Sequence, residues 1–102
     1  MTGNERIAAK NIRGAINWIV GGYYNAYQDG YDEDVPKSKQ SIIEEVYDAA
    51  MSDGYGYEHV HFGRAPREMR FAGKEFIMNY IIKKINEDED VAELAEHYNW
   101  KN

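Results

Sequence analysis

Residues 7–30 constrain this chain more than any other stretch. Ile12, Ala15, Ile16, Ile19, Val20, Tyr23 and Tyr27 recur at spacings of three and four. That is the period of a helix with one apolar stripe turned toward a core. Thr2 followed by Glu5 fits a capping box, in which each side chain satisfies a free amide of the first turn. A second face carries Gly14, Trp18, Gly21 and Gly22. Helical glycines cost about 1 kcal/mol each against alanine, so they call for a reason. We read them as close-approach positions for a neighbouring helix, with Trp18 filling the space beside it. The alternative is a bend at Gly21-Gly22 that turns Tyr23, Tyr24 and Tyr27 off the first axis.

The remaining patterns are also helical. Asp29-Gly30 is a helix stop, because glycine takes the left-handed conformation cheaply. A polar connection of residues 28–39 comes next, with Tyr31, Asp32, Glu33 and Asp34 ahead of Val35-Pro36. A second helix is predicted to begin near Ser38 or Ser41, the latter matched by Glu44 as a capping box. Ile42, Ile43, Val46, Tyr47 and Ala50 form its inner stripe, and Asp53-Gly54 ends it. Pro66 opens a third helix, with apolar residues on nearly every side from 67 to 86, which predicts a central position. Within it, Gly73 is expected to allow close contact with the glycine face of the first helix. Val91, Leu94, Ala95 and Tyr98 mark a short fourth helix, and Trp100 is expected to fold back on the body. The expected fold is all-α: one domain of residues 1–102, a compact bundle of about four helices. Residues 55–63 are expected to form an ordered Gly/Tyr/His loop between helices two and three, anchored by Val60 and Phe62, with a short strand as the alternative.

Composition removes several functional classes. The chain of 102 residues has no cysteine, so disulfides, thiol nucleophiles and thiolate metal sites are excluded. No apolar run approaches the ~20 residues of a membrane span and no signal peptide is evident, so a cytoplasmic protein without membrane contact is expected. A net charge of −6 argues against broad phosphate contacts with nucleic acid. His59 and His61, beside Glu58, lack a third ligand at metal-binding spacing. Asn86-x-Asp88-x-Asp90 opens like a calcium loop but has Val91 where glycine is needed and His97 where the bidentate glutamate belongs. No cofactor, no metal and no acid–base pair is expected, and the chain reads as a non-enzyme.

Two surfaces remain as candidates. Tyr27, Asp29, Tyr31, Asp32, Glu33 and Asp34 combine aromatics and acid in an exposed connection, suited to a basic protein partner. Nine tyrosines in so short a chain lean the same way. The alternative is a basic face of Arg64, Arg67, Arg70 and Lys74, the last three at helical spacing, which would suit a small nucleic-acid contact. A structural or regulatory helical protein, a monomer or a homodimer joined through the third helix, is the further alternative.

The block NIRGAINWIVGGYYNAYQDG resembles small proteins carried by phages and prophages of Gram-positive bacteria. Size, acidity and lack of cysteine are similar to those of anti-CRISPR proteins that inhibit Cas9-type nucleases. The resemblance implies a stoichiometric protein inhibitor acting in the cytoplasm of an infected or lysogenic host. Acidic side chains would then occupy basic surfaces meant for guide or target nucleic acid, with a Cas9-type nuclease as the first partner to try.

Overall fold

The Thr2 hydroxyl accepts from the Glu5 amide, and the Glu5 carboxylate accepts from the Thr2 amide, so α1 starts where the capping box places it. In the computed structural model, which describes residues 1–51 and 65–101, α1 runs unbroken over Gly3–Gln28. At about 1.5 Å per residue its length matches the 39 Å long axis of the molecule. The other helices are α2 (Lys39–Met51), α3 (Ala65–Ala72), α4 (Lys74–Glu87) and α5 (Glu89–His97), with a 3₁₀ turn at Asp32–Asp34. No strand occurs among the described residues, and the fold is all-α.

The α1 stripe is the spine of the core. Ala8, Ala9, Ile12, Ala15, Ile16, Ile19 and Val20 are buried against Ile42, Val46 and Ala50 of α2 and Ile77, Ile81 and Ile85 of α4. Each fully buried isoleucine contributes about 1.5–3 kcal/mol over exposure. The start of α2 falls at the first of the two predicted serines: Ser38 Oγ accepts from the Ser41 amide at 3.1 Å. Helix α2 lies antiparallel to α4. Lys39, at its start, donates to Asn86, and Tyr47, near its end, sits under the ammonium of Lys74.

The third helix is not one helix. Gly73, at φ 95°, separates α3 from α4: its amide closes α3 on Met69, and its carbonyl accepts from Ile77 to open α4. The apolar pattern is thus divided between two short helices. Ile77, Ile81 and Ile85, four apart on α4, and Met69 of α3 are all buried in the same core, and α3 packs on α1 and α2. Phe71, 67% exposed, and Ile82 remain outside. A Cβ placed on Gly21, Gly22 or Gly73 meets nothing within 4 Å among the described residues, so the expected close helix approach is not made at these three positions. Helix α1 continues through Gly21-Gly22, and Tyr23, Tyr24 and Tyr27 beyond them are half-buried. The expected loop at residues 55–63, with His59 and His61, lies outside the described residues, as does Arg64.

Candidate protein-binding face

Helix α1 ends in a Schellman turn. The Gly30 amide donates to Tyr27 and the Tyr31 amide to Ala26, and Gly30 takes φ 83°. The reversal lifts Tyr31, Asp32, Glu33 and Asp34 clear of the body, and Val35, 3% exposed, pins the far side of the turn to the body. Helix α5 is built from acid as well. Asp88 Oδ1 accepts from the Val91 amide at 3.0 Å, and Glu89 and Asp90 fill the first turn, where negative charge complements the helix dipole.

The two acidic stretches, about 60 residues apart in sequence, are brought together by tyrosines. Helix α5 lies parallel to the last turns of α1. The Tyr24 hydroxyl donates to Glu93 at 2.8 Å, and one turn further the Tyr27 ring lies 4.9 Å from His97. The Tyr98 hydroxyl then donates to Asp32 at 2.6 Å, tying α5 to the acidic turn. Residues 29–34 and 87–96 contain no lysine or arginine. Ten of the chain's 18 acidic residues lie in these two stretches.

Charge and hydrogen bonding leave a mark on the titrating groups. Donation to Glu93, then partial burial and the Glu93 charge, push the Tyr24 hydroxyl up to about 12. Donation to Asp32 does the same for Tyr98, also to about 12. Glu93 also raises Tyr27, first as a nearby acceptor. Asp90 is raised by burial and then by the carboxylates of Asp88, Glu93 and Glu89. Like charges are crowded here at some cost to the free protein.

Of the residues singled out in the sequence, Asp29, Tyr31, Glu33 and Asp34 are exposed, Tyr31 by 60%. Asp32 is exposed but its carboxylate already holds Tyr98. Tyr27 is half-buried in a ring cluster with Tyr24, His97 and Tyr98, so it supports the face from beneath. Glu93, Glu96 and His97 join the face although the sequence did not single them out for it. With Tyr27 and Ala92 they line a concavity of about 390 Å³. A second concavity, about 330 Å³, is lined by residues that include Trp18, Tyr23, Asp34 and Glu45.

The basic alternative is less continuous than its spacing suggests. The break at Gly73 puts Lys74 on a different helix from Arg67 and Arg70, and its ammonium lies 6.0 Å from the Tyr47 ring. The Arg67 guanidinium lies 5.9 Å over the exposed Phe71 ring. Among the described residues no three His, Cys, Asp or Glu side chains are grouped to hold a metal ion. No described helix is long and apolar enough to cross a membrane. Comparison with protein-family models, with characterised proteins and with solved structures returned no match to this chain.

Proposed function

We propose that this chain is a small non-enzymatic interaction protein. Its acidic face binds the basic surface of a nucleic-acid-handling complex, in the manner of an anti-CRISPR inhibitor of a Cas9-type nuclease. The observation that carries the reading is the joining of residues 29–34 to residues 87–96 through Tyr24–Glu93 and Tyr98–Asp32. It ties together two short acidic runs that themselves contain no lysine or arginine. Carboxylates spread over such a surface stand in for phosphates: they attract a basic groove at long range and occupy it in place of guide or target strand. Tyr31, held out at the rim, supplies an aromatic anchor of the kind that dominates binding energy. The site of action would be the cytoplasm of the bacterial host.

The test is association with, and inhibition of, a Cas9-type nuclease. Asp32→Lys with Asp34→Lys should slow association about tenfold and flatten its salt dependence, because these charges steer the encounter. Tyr31→Ala should mainly speed release. Neither change touches the core, so both variants should remain folded. If the charge-reversed protein binds and inhibits as well as the wild type, the acidic reading fails, and Arg64, Arg67 and Arg70 become the surface to examine.

A further inference from the structure

The concavity between α1 and α5 has the composition of a receptor for one particular side chain. It is lined by Tyr27, His97, Glu93, Glu96 and the small Ala92. The rings around it meet edge-on or tilted: Tyr24–Tyr27 at 55°, Tyr27–His97 at 59° and Tyr27–Tyr98 at 73°. Such tilted and edge-on contacts hold the rings in place, and none of these three pairs is stacked in parallel. Glu93 spends Oε1 on the Tyr24 hydroxyl. The Glu96 carboxylate, one turn along, makes no hydrogen bond or ion pair among the described residues, and Glu96 is exposed. The site thus places aromatic rings and carboxylate oxygens around one concavity.

We infer that this pocket receives an arginine side chain of the basic protein partner, its guanidinium packed against Tyr27 and its N–H groups donating to Glu93 and Glu96. A guanidinium is planar, weakly hydrated and permanently charged; it stacks on aromatic rings and donates to carboxylates through a rigid fork. A lysine ammonium matches the charge but neither the plane nor the fork. A phosphate or other anion is repelled by both carboxylates. The inference rests on the reading of the acidic face as a surface for a basic protein, and it names the group recognised there.

The test is an NMR titration of the full chain, isotopically labelled, with hexa-arginine, hexalysine and hexacitrulline peptides. The arginine peptide should give saturable shifts centred on Tyr27, Ala92, Glu93, Glu96 and His97. Lysine should bind this site about tenfold more weakly, and citrulline, which is isosteric but uncharged, should not bind it. Glu96→Gln is exposed and isosteric, so it keeps the fold, and it should weaken arginine binding about tenfold. Tyr27→Leu should do the same. Arginine and lysine shifts of equal strength, spread over residues 29–34 and unmoved by Glu96→Gln, would overturn the pocket while leaving the wider acidic face intact. No shift with either cationic peptide would overturn both.

Discussion

At the end of α1, Gly30 turns left-handed and Tyr31 sends its amide back to Ala26; at the end of α5, Asn99 turns likewise and Trp100 sends its amide back to Ala95. The two closures have the same hydrogen-bond pattern, and the two helix ends lie side by side through Tyr27, His97 and Tyr98. Their aromatic residues have opposite fates. Trp100 packs on the core, whereas Tyr31 keeps 60% of its surface in water. A hydrophobic contact at this position of the turn is usual, and Trp100 makes it. Tyr31 leads directly into the exposed Asp32, Glu33 and Asp34, and its ring stays outside the core. The same closure thus leaves one aromatic packed on the core and the other available at the surface.

Replacing the two rings should break the comparison most visibly. Trp100→Ala is expected to cost about 2–3 kcal/mol, less than a fully buried tryptophan because Trp100 is only half-buried. Tyr31→Ala should stay within about 0.5 kcal/mol, as for other surface changes. Denaturant midpoints decide the matter, and equal losses would show that Tyr31 is a packing residue.

The turn residues come next in size. Gly30→Ala should cost about 1–2 kcal/mol from backbone strain alone, since a Cβ there meets nothing within 4 Å among the described residues. Gly30→Asn should cost less, because asparagine already holds the corresponding place in α5 at φ 55°. Asn99→Gly should be near neutral. A Gly30→Asn protein no more stable than Gly30→Ala would mean that the two closures are not equivalent.

The smallest effect is in pH. Tyr24 and Tyr98 lose their protons near 12 in the folded chain, above the ordinary value of 10.0. Folding therefore holds these protons more tightly. Their contribution is fully present below about pH 10 and is lost as pH rises from there through 12. Both hydroxyls are in solvent, so the effect is screened. The denaturant midpoint should fall less steeply over this window for Tyr98→Phe than for the wild type. Superimposable slopes would remove Asp32–Tyr98 as a tie between the two acidic runs.

Local features of this fold were legible in the sequence, because each is decided by residues a few positions apart. The Thr2–Glu5 box, the stop at Gly30 and the stripe through Ile16 all stand as their spacing predicts, and Ile81 is buried as the central helix requires. The break at Gly73 was not legible. A lone glycine inside an apolar run costs about 1 kcal/mol and is tolerated in a helix, so only the packing of α4 distinguishes a kink from a rod. The acidic face was half legible. Residues 29–34 declare themselves by composition, but residues 87–96 look like ordinary helix-capping charge. Only the parallel packing of α5 on α1, through pairs such as Tyr24 with Glu93, reveals that they share a surface.

That shared surface is tested most directly by association kinetics with a Cas9-type nuclease over a range of salt. The comparison needs the wild type, Glu33→Lys with Asp34→Lys, Glu89→Lys with Glu96→Lys, and the four changes combined. If the two runs act as one electrostatic surface, each pair should slow association by a similar factor and lower the salt slope, and the combined variant should do both further. If reversal of residues 89 and 96 leaves the rate and slope of the wild type, the face is not one surface.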